Sequence, residues 1–240
     1  MSRVFITGSA DGLGRLAAQA LLDGGHDVVV HVRDDDRRTA VRELVERGAA
    51  VVVGDLADGR QTRDVARQVS GSGPVDVVIH NAGVISGSSV LAVNVVAPYL
   101  LSALLPRPER LVYLSSGMHL GGRPRLPGFD GGARVSYSDS KLLLTTLALA
   151  IARRWPDVLS NAVDPGWVPT RMGGRGAPDD LTLGHRTQEW LAVSDDPEAR
   201  TTGGYWYHQV RRRPHQACQD EGFQDELLAA LAGHTGVPLS

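Results

Sequence analysis

The sequence is short of several residue types, and each shortage excludes a class of protein. A single cysteine, Cys218, excludes an internal disulfide framework. No apolar run approaches the roughly 18 residues of a membrane span, and the N-terminus shows no signal-peptide pattern, so we expect a cytoplasmic protein without a membrane partner. The net charge of −2 disfavours nucleic acid as a partner. The eight histidines show no metal-ligand spacing, so we predict no metal site.

Lysine is the scarcest charged residue. The chain has 25 basic residues, and only one of them, Lys141, is lysine. Wherever this sequence needs a generic positive charge it uses arginine. The position that keeps lysine therefore calls for a specific explanation.

Short apolar runs alternate with helix-like stretches along the 240 residues. This pattern is typical of a parallel sheet that is covered by helices on both faces. We therefore predict an α/β fold: a single-domain (residues 1–240), Rossmann-type doubly wound sheet of the nucleotide-binding kind. Predicted strands lie at 4–7, 28–32, 50–53, 75–79, 111–115 and 159–163, and predicted helices at 14–22, 36–47, 61–69, 90–105 and 137–155.

Two irregular stretches, 117–132 and 173–180, follow the carboxyl ends of predicted strands. Ligands bind at that end of open α/β sheets. We expect both loops to shape a substrate pocket.

A glycine-rich turn, Thr7-Gly8-Ser9-Ala10-Asp11-Gly12-Leu13-Gly14, joins the first strand to the first helix. Glycines allow the backbone to approach a pyrophosphate, and the N-terminus of the helix directs N–H groups toward it. The alternative is a tight strand-to-helix turn with no ligand.

The segment Tyr137-Ser138-Asp139-Ser140-Lys141 places a phenol and an ammonium four residues apart. On a helix this spacing puts both on nearly the same face, about 6 Å apart along the axis. A neighbouring cation favours the phenolate and would let Tyr137 exchange a proton near neutral pH. The alternative is an incidental pair in which the lysine lies over the ring.

These two motifs together resemble the short-chain dehydrogenase/reductase family, and further matches extend from Thr7 to Thr170. The resemblance implies an NAD(P)(H)-dependent oxidoreductase that transfers hydride between a nicotinamide and a carbonyl or alcohol. Ser116-x-x-His119, Thr187-Gln188-x-x-Leu191 and Gly204-Tyr205 are similar to the retinol dehydrogenase and protochlorophyllide reductase branch. The aromatic C-terminal segment indicates a lipophilic small-molecule substrate.

The resemblance implies four catalytic positions. Tyr137 would be the acid/base, Lys141 the ribose clamp and tyrosine activator, and Ser116 the partner of the substrate oxygen. Asn94 would hold a water that extends the proton path, although a structural hydrogen bond between helices is its alternative. Ser115 is expected only to close its strand.

The resemblance also implies a set of cofactor-binding residues. Asp55 has helix capping as an alternative function, and His80 is expected to be a packed core residue. The set is Gly8, Ser9, Asp11, Gly12, Leu13, Gly14, Arg33, Asp55, Leu56, Asn81, Ala82, Gly83, Tyr137, Lys141, Pro165, Gly166, Val168 and Thr170.

The end of the second strand predicts which cofactor binds. An acidic residue there binds ribose hydroxyls, whereas an arginine accommodates a 2′-phosphate. Val32 occupies the acidic position, Arg33 follows, and Arg37 and Arg38 could assist. NADP(H) is therefore favoured over NAD(H), with a solvated charged turn as the alternative.

Three other expectations complete the sequence-based picture. Only 12 residues separate Asn81 from Asn94, about half the usual number in the family, which leaves the pocket shape and a homo-oligomer open. Residues 211–213 are predicted to form a solvated loop, and the aromatic residues at 190 and 205–207 are predicted to form core or pocket wall.

The alternatives to the oxidoreductase are a non-catalytic NADP(H)-sensing regulator, or a dehydratase or epimerase with tightly held cofactor.

Overall fold

The computed structural model describes residues 1–126 and 135–239. Its centre is an eight-stranded sheet in the order β3-β2-β1-β4-β5-β6-β7-β8, parallel except for the last strand. The strands are β1 (Arg3–Ile6), β2 (Asp27–Val32), β3 (Ala50–Val53), β4 (Val77–His80), β5 (Arg110–Leu114), β6 (Leu159–Asp164), β7 (Tyr205–Tyr207) and β8 (Val210–Arg212). The predicted doubly wound α/β fold is confirmed.

Nearly every residue of the central strands is apolar and buried. Both faces of the sheet must therefore be covered, and helices cover them. The helices are α1 (Gly12–Asp23), α2 (Arg42–Glu46), α3 (Gly59–Gly71), α4 (Ala97–Leu104), α5 (Tyr137–Arg154), α6 (Leu181–Val193) and α7 (Glu221–Thr235). Apolar residues of α1, α2 and α6 pack in the core cluster on one face, and those of α3, α4, α5 and α7 in the other.

Two predicted helices differ from the structure. The stretch 36–47 is a 3₁₀ segment, Asp35–Val41, followed by the short α2. Thr39 Oγ1 donates to the Asp36 carbonyl, a local bond that competes with a regular helix. The stretch 90–105 contains a π turn, Ala92–Val96, before α4. Pro98 has no N–H to donate to the carbonyl of Asn94, so the regular α pattern cannot continue there.

The C-terminal third departs most from prediction. The expected solvated loop at 211–213 is wrong, because Val210–Arg212 is the antiparallel edge strand β8. His208 and Gln209 connect it to β7 with φ of 49° and 62°, the left-handed values that a two-residue hairpin requires. Neither residue is a usual hairpin signal, so sequence reasoning missed this turn. Strand β7 and helices α6 and α7 were also not predicted.

The chain reverses strand order between β1 and β4, and the loops that leave these two strands diverge at the carboxyl edge of the sheet. Ligands bind in open α/β sheets at this crevice. None of the helices in residues 1–126 and 135–239 combines the length and hydropathy that crossing a bilayer requires.

Candidate active site

A cavity of about 650 Å³ lies at the carboxyl ends of the strands. Its volume is in the range of small-molecule sites. Fourteen of the predicted cofactor residues line it: Gly8, Asp11, Gly12, Leu13, Arg33, Asp55, Leu56, Asn81, Ala82, Gly83, Tyr137, Lys141, Pro165 and Thr170. The structure thus brings together segments from Gly8 near the N-terminus to Thr170 after β6.

Four predicted cofactor residues lie outside the lining. Ser9 is buried, and its hydroxyl donates to the Ile6 carbonyl and accepts from His31 N. A methyl group at Gly14 would lie 2.6 Å from the Gly8 carbonyl oxygen, so this glycine allows close packing of α1. Gly166 holds a left-handed φ of 82°, and Val168 is buried. These residues shape the loops, and their side chains do not line the cavity.

The glycine turn has the geometry of a cradle for a dinucleotide. Gly8 has φ +68°, and a methyl group there would lie 2.9 Å from the Ala82 Cα. Asn81 holds the turn in place, because its side-chain amide donates to the carbonyls of Thr7 (2.9 Å) and Gly8 (3.1 Å). A larger residue at position 8 would strain the backbone and displace the Asn81-Ala82-Gly83 segment. The chain therefore fits an NAD(P) group along this wall.

His31 is a cavity residue that sequence reasoning missed. Its Nδ1 accepts from Gly8 N at 3.0 Å, and its Nε2 donates to the Gly54 carbonyl at 2.8 Å. Burial lowers the pKa of His31, against a smaller opposing effect of the Gly54 hydrogen bond. The neutral ring braces the glycine turn against the β3 loop. A polar residue inside the apolar run of β2 was the available signal.

Two of the three arginines at positions 33, 37 and 38 line this cavity. Arg33 and Arg37 both line it, and Arg38 is not among the lining residues. Arg33 Nε lies 3.2 Å from an Asp34 carboxylate oxygen, and Arg37 Nη2 lies 2.9 Å from one of Asp11 in the glycine turn. Asp55 does not cap α3, since its Oδ1 accepts from Ala57 N while Asp58 caps that helix.

Helix α5 presents the Tyr137 and Lys141 pair. Ser136 caps the helix by accepting from Asp139 N at 3.1 Å. Lys141 is buried, its Nζ donates to the Leu114 carbonyl at 2.6 Å, and it lies 5.5 Å from the centroid of the Tyr137 ring. Burial lowers the pKa of Lys141 to about 8.

The sequence-based expectation that Lys141 favours the phenolate differs from what the structure shows. Burial raises the pKa of Tyr137, a hydrogen bond with the Ser116 side chain lowers it, and the charge of Asp164 raises it further, with a net upward shift. The physical reason is that burial desolvates the phenolate and the Asp164 charge opposes it, and together these outweigh the Ser116 hydrogen bond. Tyr137 is therefore a protonated phenol near neutral pH, beside the Ser116 hydroxyl.

Hydrogen bonds within the fold hold Asn94 and Ser115, and Ser115 also lines the cavity, whereas Ser116 and Asn94 are not among its lining residues. The Asn94 amide accepts from Val84 N and donates to the Val84 carbonyl and to Ser140 Oγ, each at 2.9 Å. These bonds fasten the short 84–91 connection to α5. The Asn94 Oδ1 and the Lys141 Nζ nevertheless face the same point, since each lies 3.5 Å from where a methyl group on Gly83 would be. Ser115 Oγ bonds Thr145 Oγ1 within the core.

The remaining predicted residues have varied outcomes. His80 is a core residue as expected: it is buried, stacked on Tyr113 at 4.6 Å, and bonded to Ser102. Trp206, one of the aromatic residues expected in the core or pocket wall, is buried and packs edge-on against Trp190. The 173–180 loop is confirmed as irregular. Of the other predicted loop, Gly117–Gly121 is a 3₁₀ segment, and residues 127–132 fall outside the described residues. In the described ranges no group of three or more His, Cys, Asp or Glu side chains is arranged to hold a metal ion.

Comparison with known proteins identifies the family. The model of the short chain dehydrogenase family matches residues 2–104. An uncharacterized oxidoreductase of Emericella nidulans, AN7799, is 36% identical over 99% of this chain and 98% of its own. Short-chain dehydrogenase chyC of Penicillium rubens is 33% identical over 100% of this chain and 99% of its own.

Solved structures share the fold. An uncharacterized protein from Mycobacterium paratuberculosis superposes with a TM-score of 0.78 at 26% identity, covering 100% of this chain and 95% of its own. A blue fluorescent protein from a metagenomic library, in complex with NADPH, has a TM-score of 0.71 at 21% identity over 86% and 95% of the two chains.

Fold and site thus define a doubly wound α/β protein with a dinucleotide cradle. The chain belongs to the short-chain dehydrogenase family. It is an NAD(P)-dependent oxidoreductase, of the class that acts on carbonyl and alcohol groups.

Proposed function

We propose that this protein reduces the carbonyl group of a lipophilic small molecule with NADPH, using Tyr137 as the proton donor. The observation that carries the proposal is the meeting of the Tyr137 phenol with the Ser116 hydroxyl at the end of β5, one helical turn from the buried Lys141. A bound nicotinamide supplies the hydride in this chemistry. The protein itself would orient the substrate, donate the proton and hold the cofactor.

In this proposal Ser116 orients the substrate oxygen and Tyr137 donates its proton to it. The raised pKa of Tyr137 keeps that proton available at neutral pH. Lys141 would contact the ribose of the cofactor, and Asn94 would help to return a proton toward Lys141. The predicted glycine-turn, Asp55, Asn81 and Pro165–Thr170 contacts would hold the cofactor.

The preference for NADP(H) rests on the charge at the adenine end of the cavity. Val32 is buried and brings no carboxylate, whereas Arg33 and Arg37 line the cavity. Guanidinium groups bind phosphate by charge-assisted hydrogen bonds. Both arginines are already ion-paired with aspartates, so we expect a moderate preference.

The lipophilic substrate is supported by exposed apolar side chains on the two loops that follow β5 and β6. Met118 and Leu120 are 53% and 56% exposed, and Trp167 and Met172 are 61% and 43% exposed. Exposed apolar groups concentrated near a cavity are typical of a binding site.

The test is a panel of aryl and alkyl ketones, aldehydes and the matching alcohols, assayed with NADPH and with NADH. We expect continuous NADPH consumption with at least one ketone or aldehyde, and a loss of at least 1000-fold in kcat for Tyr137→Phe with unchanged cofactor affinity. Retention of a tenth of the activity by Tyr137→Phe would overturn the assignment of the proton donor. Steady turnover of cofactor also separates an oxidoreductase from a sensor or an epimerase. The cytoplasmic location, the single-domain organisation and self-association stay predictions.

A further inference from the structure

We propose that Asp164 is a substrate-binding residue that selects carbonyl compounds carrying a protonated amine. The inference rests on the proposed function of the same site and names its substrate class. Asp164 is the last residue of β6, and sequence reasoning gave its side chain no function.

Strand pairing sets Asp164 level with Ser115, one residue before Ser116. Leu114 of β5 is in register with Val163 of β6, and Ser115 N donates to the Val163 carbonyl at 2.7 Å. The next residues, Ser116-Gly117 and Asp164, therefore leave the sheet at the same edge. A methyl group on Gly117 would lie 2.9 Å from Asp164 Oδ2. Glycine at position 117 leaves the room that this carboxylate occupies.

The Asp164 charge is felt at the reacting phenol. It raises the pKa of Tyr137, and it acts with the same sign on His119 and Tyr205 nearby. A second carboxylate close to this edge, Asp179, has no such effect on Tyr137 and bonds Trp167 N instead. Asp164 is therefore the carboxylate placed to meet a substrate whose carbonyl oxygen lies against Tyr137.

Two neutral donors orient the Asp164 carboxylate. Gly166 N donates to Oδ1 at 3.0 Å, and Tyr205 OH donates to Oδ2 at 3.1 Å. The Tyr205 ring is buried against His119, with centroids 4.5 Å apart. Each carboxylate oxygen accepts two hydrogen bonds, so each retains capacity for one more. Among the described residues no ion pair within 4.0 Å joins a basic side chain to Asp164.

The Asp164 carboxylate has hydrogen-bond donors but no cationic partner in the described ranges, and its field opposes negative charge at the phenol. An ammonium group on the substrate would pair with the Asp164 charge and weaken its field at the phenol. A hydroxyl group would only add a hydrogen bond to the carboxylate. A carboxylate on the substrate would be repelled. Met118 and Trp167 follow Ser116 and Asp164 by two and three residues, and their exposed apolar side chains are available to the hydrocarbon part of an amino ketone.

The kinetic test uses ketones of similar size that differ in one group: 3- and 4-(aminomethyl)acetophenone, their hydroxymethyl analogues and their ethyl analogues. For the wild-type protein with NADPH we expect kcat/KM for one aminomethyl isomer to exceed that of its ethyl analogue at least tenfold. Asp164→Asn should reduce this preference to less than threefold, whereas Asp179→Asn should retain it. An equal preference in wild type and Asp164→Asn would overturn the inference while leaving the reductase assignment intact.

A binding test does not depend on turnover. Calorimetry would measure the affinity of the protein saturated with NADPH for 1-[4-(aminomethyl)phenyl]ethanol, for its 3-isomer and for their ethyl analogues. These alcohols cannot react with NADPH, because both are already reduced. We expect at least tenfold tighter binding of one amine, lost in Asp164→Asn and weakened by salt. If the ketones are not reduced but this pattern is found, the substrate class stands and the proposed reaction fails. Equal binding of amine and ethyl compounds would reject the role of Asp164.

Discussion

The ammonium of Lys141 donates a 2.6 Å hydrogen bond to the carbonyl of Leu114, the last residue of β5. The sole lysine of the chain is thus fastened to the strand that leads into Ser116, and it is almost fully buried. Burying a charge in this way lowers its pKa to about 8 and opposes folding at neutral pH. Such a cost is typical of groups retained for function.

We expect Lys141→Arg to lose at least about 100-fold in kcat/KM, roughly 2.7 kcal/mol of transition-state stabilisation. A guanidinium cannot direct three donors from one atom, and its larger volume does not fit a buried site. We therefore also expect a lower melting temperature. Near-normal turnover in this variant would show that any cation suffices at position 141.

Lys141→Met should be inactive and yet as stable as wild type at pH 7, or more so. The folded protein releases the Lys141 proton near pH 8, whereas the unfolded chain holds it to about pH 10.4. Wild type should therefore gain stability relative to Lys141→Met as the pH rises from 8 to 10. Urea unfolding at pH 7, 8, 9 and 10 measures this difference. A difference that does not change with pH would mean that Lys141 keeps an ordinary pKa.

Arg33→Ala and Arg37→Ala should each weaken NADPH binding about tenfold, about 1.4 kcal/mol, with less than a threefold change for NADH. Arg38→Ala is the matched control, because Arg38 pairs with Asp35 at 2.6 Å and does not line the cavity. Fluorescence titration of both cofactors measures the effect. Equal losses for NADPH and NADH would show that these side chains do not contact the 2′-phosphate.

Asp139→Asn should destabilise the protein by about 2 kcal/mol at pH 7. Burial raises the pKa of Asp139, but hydrogen bonds and charge from Arg123 outweigh it and hold the value near 2. The stabilisation is complete above the unfolded pKa of about 4 and is lost as the pH falls toward 2. Asp35→Asn is the control, since its pair with Arg38 is exposed and should contribute under 0.5 kcal/mol. Urea unfolding from pH 7 to pH 3 tests whether the two variants differ in this way.

His80→Asn should make stability less sensitive to acid. Burial lowers the pKa of His80 to about 3, so the unfolded chain binds a proton below pH 6.5 that the folded protein excludes. Between pH 7 and pH 5 wild type should lose about 2 kcal/mol more than His80→Asn. Parallel profiles for wild type and His80→Asn would contradict the assignment.

Local geometry explains what the sequence alone determined. The alternation of apolar runs and helical stretches specified the sheet, because strands buried on both faces need continuous apolar residues. The glycine turn and the Tyr137–Lys141 spacing were predictable because each lies within one turn or one helix, where backbone geometry fixes which groups share a face.

Long-range pairing decided the rest. The β7–β8 hairpin depends on left-handed values at His208 and Gln209 that only the neighbouring strands impose. The brace of His31 between Gly8 and Gly54 depends on which strands are adjacent and in what register. The position of Asp164 beside Gly117 depends on the same pairing between β5 and β6. The direction of the Tyr137 pKa depends on burial and on the Asp164 charge. Sequence spacing states none of these, because burial and through-space charge exist only once the sheet has assembled.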